Sequence, residues 1–175
     1  MDAQYFERMS AVIMYRKCVD CGSRKTEELN MNEYVCSECG RTWDRTEAFE
    51  AAYREINAVK ISYGGFHGGF NEIEIDLKTG GVRLGSTRSR VEKTVATLGD
   101  NEVKELMDVL REVDILNWKR SYDNPFVLEG TQWEIALKRK AGELIRSGNN
   151  GFPDSWDALC NEIGKIAQVS LPESR

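Results

Sequence analysis

The spacing of hydrophobic residues along this chain changes at Val59. Before it, Tyr5, Phe6, Met9, Val12 and Ile13 fall near one face of a 3.6-residue helix, which predicts an amphipathic helix over Gln4 to Arg16. Phe49, Ala52, Tyr53 and Ile56 repeat that spacing and predict a second helix starting after Asp44 or Thr46. From Val59 the period becomes two: Ile61 and Tyr63, then Ile73, Ile75 and Leu77, alternate with polar residues, as in a sheet with one wet face.

Lys78-Thr79-Gly80-Gly81 reads as a hairpin turn into Val82-Arg83-Leu84, and a further strand is expected around Val91 to Leu98. Val103, Leu106, Met107, Leu110 and Val113 share one face of a helix over Asp100 to Val113, with Asp100 as its expected N-cap. After the Asn124-Pro125 loop, Trp133, Ile135 and Leu137 alternate with Glu134 and Lys138, and Ala141-Gly142 turns the chain back through Glu143 to Arg146. A last helix is expected to open at Pro153 and to bury Trp156, Leu159, Cys160, Ile163 and Ile166. The fold class this implies is α+β: a small cysteine-bearing module over residues 1–58, then a domain over 59–175 in which an antiparallel sheet carries two helices on one face.

Composition fits that picture, since 41% apolar and 30% charged residues describe a globular chain rather than a disordered one. The length, 175 residues, allows one main core and a minor one. Asp2 and Glu7 stand where a secretory signal would carry positive charge, and no apolar run reaches the length of a membrane span, so a cytoplasmic protein is expected. Formal charge is −5 overall, with 8 basic against 11 acidic residues over 1–58 and 16 against 18 over 59–175. Neither part is basic. This disfavours nucleic acid as the partner, because affinity for phosphates comes mainly from lysine and arginine.

Chemistry enters with the cysteines. Cys18-Val-Asp-Cys21-Gly22 and Cys36-Ser-Glu-Cys39-Gly40 are two copies of one C-x2-C-G knuckle, with 14 residues between Cys21 and Cys36. Each tight turn aims two sulfurs at one point, and two such turns complete a closed tetrahedral S4 site. In a reducing compartment this pattern points to metal ligands before disulfides. Zn2+ is the expected ion and iron the alternative, since both suit four thiolates. A closed S4 site leaves no open position for water or substrate, so the ion is expected to be structural. With Asn30-Met31-Asn32 as a turn between the knuckles and aromatics flanking the second, in Tyr34-Val35-Cys36 through Arg41-Thr42-Trp43, the sequence resembles the zinc ribbon over about thirty residues, Tyr15 to Trp43. The resemblance implies a metal-stapled β module used in many kinds of contact, and it implies no particular activity. The segment Trp133 to Leu159 is faintly similar to domains of uncharacterised bacterial proteins, and no activity attaches to that likeness.

The remaining candidates are weaker. His67, the single histidine, lies in the glycine-rich segment Gly64 to Phe70, which could approach an anion but lacks the Lys-Ser/Thr ending of a phosphate loop. Arg83, Arg88 and Arg90, with Lys93, form one basic stretch, and Lys138, Arg139 and Lys140 form another at a hairpin tip; convergence of the two would make a partner-binding patch. Cys160 sits on the apolar face of the last helix, between Leu159 and Ile163, and is expected in the core. No Ser-His-Asp set assembles around one histidine. The expected function is that of a non-enzymatic zinc-binding or adaptor module with a protein or small-ligand partner. A nucleic-acid-associated ribbon factor and a small enzyme with its site near Gly64 to Phe70 are the alternatives.

Overall fold

The computed structural model describes residues 15–65, 68–89, 92–127, 130–140 and 142–174. The helix expected over Gln4 to Arg16 lies almost wholly outside them. The chain forms two compact units, Met1–Glu55 and Ile56–Arg175.

In the first unit, β1 (Thr26–Glu28), β2 (Glu33–Cys36) and β3 (Thr42–Asp44) form an antiparallel sheet in that order. The expected turn closes β1 on β2: Asn30 Oδ1 accepts the amides of Asn32 at 2.9 Å and Glu33 at 3.1 Å. This side-chain turn is what asparagine offers in place of a backbone one. Strand β3 has no counterpart in the sequence reading, because three residues are too few to display alternation. It pairs through the register Tyr34↔Trp43, two side chains that are both buried. Tyr15, Tyr34 and Trp43 stack in series with centroids 6.5 and 6.1 Å apart, and the Trp43 indole N–H donates to the Tyr15 carbonyl at 3.0 Å. Helix α1 (Arg45–Arg54) follows directly, its first turn capped by Asp44, whose Oδ1 accepts the Glu47 amide at 2.8 Å. It buries Ala48 and Tyr53, while Ile56, expected on this helix, belongs to the next strand.

The second unit is a seven-stranded mixed sheet of order β7-β6-β5-β4-β9-β10-β8. Its strands are β4 (Ile56–Gly65), β5 (Gly69–Asp76), β6 (Gly81–Ser86), β7 (Lys93–Thr97), β8 (Ser121–Asp123), β9 (Gln132–Arg139) and β10 (Gly142–Asn149). β4 starts ahead of Val59, and the register shift between Ile56 and Ala58 breaks the alternation by which its start would show in the sequence. All pairings are antiparallel except β8 with β10, which is parallel. The wholly antiparallel expectation is therefore corrected at one edge: β8, like β3, is too short to signal itself.

Alternation sorts the two faces. Ile61, Ile73, Ile75, Val82, Ile135 and Leu137 are buried on one, together with Leu106 and Leu110 of α2 (Asp100–Glu112) and Leu159 and Ile163 of α3 (Trp156–Ala167). Trp133 of β9 meets Trp156 of α3 at 4.5 Å between centroids, and Trp118 lies 6.3 and 6.4 Å from these two. Burial of about 150–250 Å² per indole, at about 25 cal/mol per Å², contributes roughly 4–6 kcal/mol each before chain entropy is subtracted. Each indole N–H stays satisfied at 2.8 Å, by the carbonyls of Val113, Gly151 and Pro172 for Trp118, Trp133 and Trp156.

Two helix starts differ from expectation. α2 is capped at Gly99, not Asp100, and the Glu102 carboxylate reaches back to accept the Gly99 amide at 2.8 Å. α3 begins at Trp156, with Pro153 supplying the carbonyl that accepts the Trp156 amide. No helix among the described residues is long and apolar enough to cross a membrane.

Candidate metal centre

The two knuckles have the same backbone. In the first, Cys18 N–H donates to the Ser23 carbonyl at 2.9 Å and Gly22 N–H to the Cys18 carbonyl at 3.0 Å. In the second, Cys36 N–H donates to Arg41 and Gly40 N–H to Cys36, both at 2.9 Å. Gly22 and Gly40 take φ of +72° and +73°, the left-handed conformation that closes each turn and that residues with a Cβ adopt at a cost. One sequence motif, used twice, yields one local geometry twice.

The hairpin and β3 bring the turns together. Ser37 N–H donates to the Lys25 carbonyl at 2.9 Å. Lys25 pairs with Glu38 at 2.7 Å, and Arg41 reaches Asp20 at 3.4 Å and Glu47 at 2.7 Å, so each knuckle is tied to the other's neighbourhood. Lys17 pairs with Glu55.

As a result the four sulfurs of Cys18, Cys21, Cys36 and Cys39 lie within 4.8 Å of one another. Two of the pairs join opposite knuckles, Cys18 to Cys39 at 3.6 Å and Cys21 to Cys36 at 3.5 Å. Sulfurs about 2.3 Å from a central ion stand about 3.8 Å apart in a regular tetrahedron, so this cluster needs little rearrangement to hold one. Cys18 and Cys36 are buried, and Cys21 and Cys39 face solvent. The Cys39 and Glu38 amides point at Cys36 and bring its thiol down to about 7. At Cys21 the Ser23 amide acts in the same sense, but removal from water and the three neighbouring thiols outweigh it and push the group up to about 12. Four thiols this close cannot all ionise without a cation among them, and a divalent ion supplies the compensating charge.

Among the described residues, the other candidates are partly brought together. His67 and Arg90 lie outside the described residues. Arg83 and Lys138 do meet, on the wet face of the large sheet, because both pair with Glu74, at 2.9 and 2.8 Å. This salt bridge holds the Glu74 carboxyl below its usual range. Arg88 sits in the turn after β6, beside Gly69; Lys140 is exposed where β9 ends; Arg139 is half-buried. Cys160 is buried, and burial pushes its thiol up to about 12, which makes it a core residue and a poor nucleophile.

Sequence reading missed Arg146, a buried cation in β10. Its guanidinium donates to the carbonyls of Leu116 at 2.9 Å and Ile145 at 3.1 Å, and burial holds its pKa below the usual guanidinium range. The signal that could have found it is its place at an inward position of the alternation, opposite Ile135. No protein-family model matches this chain, and no curated protein matches it significantly.

Proposed function

We propose that the four-cysteine cluster holds a single structural zinc ion and that the chain acts as a non-enzymatic binding module. The observation that supports this reading is the convergence of four sulfurs, two from each of two identical turns, to within 4.8 Å. Cys18, Cys21, Cys36 and Cys39 would be the ligands, and they would fill the tetrahedron, leaving no position for substrate. Zinc bound there supplies cross-linking of the two turns rather than reactivity. The surrounding amides of Ser23, Glu38 and Cys39 favour the thiolate form that ligation requires.

Elemental analysis of the purified chain tests this. A colourless protein with one zinc per chain is the expected result, and Cys36→Ser should lose the metal. A red protein absorbing in the visible would assign the site to iron, and a metal-free protein with intact folding would remove the structural role.

A further inference from the structure

The wet face of the large sheet is not flat. A groove of about 490 Å³ crosses it, floored by β4, β9 and β10 and reaching β5 and β8 at its two sides. Gly64 lies between two of its lining residues, Phe70 and Gln132. The registers Gly64↔Phe70 and Gly64↔Gln132 leave no side chain between two larger neighbours. None can be added, because a Cβ there would stand 2.1 Å from the Gly69 carbonyl oxygen as the β4–β5 hairpin folds back.

The charges in this groove do not balance. Register places Glu72, Ser62, Glu134 and Ser147 side by side on successive strands, so the two carboxylates flank a hydroxyl at about 10 Å, two strand spacings. Asp123 lies beyond, next to Asn149 on β8's side. Against these three acids stands, among the described residues, one cation, Lys60, already engaged with Glu72 at 3.2 Å. Among the described residues no ion pair involves Glu134 or Asp123, which leaves two acceptors separated by about 12 Å diagonally across the strands. Serine and amide oxygens lie between them, and the Phe70 ring forms one wall.

We infer that this groove binds a linear oligoamine, a small molecule with two or more protonated amines on an extended aliphatic chain, through Glu134 and Asp123. The amines would face the two free carboxylates and donate to the intervening Ser147 and Asn149 oxygens. The methylene chain between them would cross β10 at Ser147 and Asn149, and a further amine extending past Glu134 toward β5 would meet the Phe70 ring, where cation–π attraction adds to the charge complementarity. The proposal extends the binding-module reading to the second unit. It does not involve the metal, so zinc content and amine binding succeed or fail separately.

The test is titration of the full zinc-loaded chain with spermidine, followed by calorimetry and by amide chemical shifts. Saturable binding is expected, with shifts at Ser62, Ser147 and Asn149 and weakening as salt rises. Each of E134Q and D123N should weaken binding roughly twofold to fivefold, as for exposed ion pairs, and together about tenfold. E105Q, on the exposed side of α2, controls for general attraction to an acidic protein and should bind like the parent. All three changes are at exposed positions, so unchanged thermal melting should confirm that the variants fold. Absence of saturation, or equal weakening by E105Q and by the groove variants, would overturn the assignment.

Discussion

At the scale of single residues, the candidate metal centre depends as much on two glycines as on four cysteines. Gly40 adopts φ +73° with open space where a Cβ would go, so an alanine there meets no clash and suffers only from the backbone conformation. Left-handed backbone costs a residue with a Cβ about 1–2 kcal/mol. Because folding of this turn and metal binding are one equilibrium, Gly40→Ala should lower apparent zinc affinity by roughly fivefold to thirtyfold, as read by competition with a chromophoric chelator. Unchanged affinity would show that the second knuckle can close without the left-handed turn. These glycines were legible in the sequence because C-x2-C-G occurs twice. Arg146 was not, since one charged residue in an alternating run looks like a polar position until its neighbours show which face is buried.

At the scale of elements, long periodic stretches were readable and short or capped ends were not. The faces of α2 and α3 and the alternation of β4, β5 and β9 follow from side-chain spacing alone. β3 and β8 have three residues each and exist because a partner strand offers them hydrogen bonds. Helix starts depend on which group reaches the free amides. Gly99 shows this: it has no side chain to accept the first amides of α2, and the Glu102 carboxylate accepts the amide of Gly99 itself.

Asp44 caps α1 by the usual route, and Asp44→Ala should cost about 1 kcal/mol. Hydrogen exchange of the α1 amides in the zinc-loaded chain should then speed up by about fivefold, while Asp44→Asn, which keeps the acceptor, should stay near the parent rate. Equal protection in all three proteins would mean that packing of Ala48 and Tyr53, rather than the cap, holds the helix.

At the scale of the whole molecule, the two units have different sources of stability. The first has a small buried cluster of Cys18, Tyr34, Cys36, Trp43 and Ala48, in which two of five members belong to the four-cysteine cluster. Structural zinc contributes about 10–16 kcal/mol in comparably small fingers, more than so few side chains can replace. The second unit has the indole cluster, the isoleucine-rich sheet face and two amphipathic helices, and none of these involves the cysteine cluster. A strong chelator, or Cys36→Ser, should therefore make residues 15–44 sensitive to protease, while a fragment from about Ile56 onward stays protected and melts cooperatively. Loss of both units in a single transition would show that their folding is coupled.

By itself the sequence determined the two cysteine knuckles, the alternation that splits the large sheet into dry and wet faces, and the helical faces of α2 and α3. Each of these is periodic or duplicated, and a period is a local property of the chain. Only the tertiary structure decided that Arg83 and Lys138 spend their charge on Glu74, that β8 lies parallel at the edge, and that Glu134 and Asp123 share a groove in which, among the described residues, neither forms an ion pair. These depend on register between strands far apart in the chain. A single-residue slip would exchange the two faces, so no local pattern can state which side chains meet.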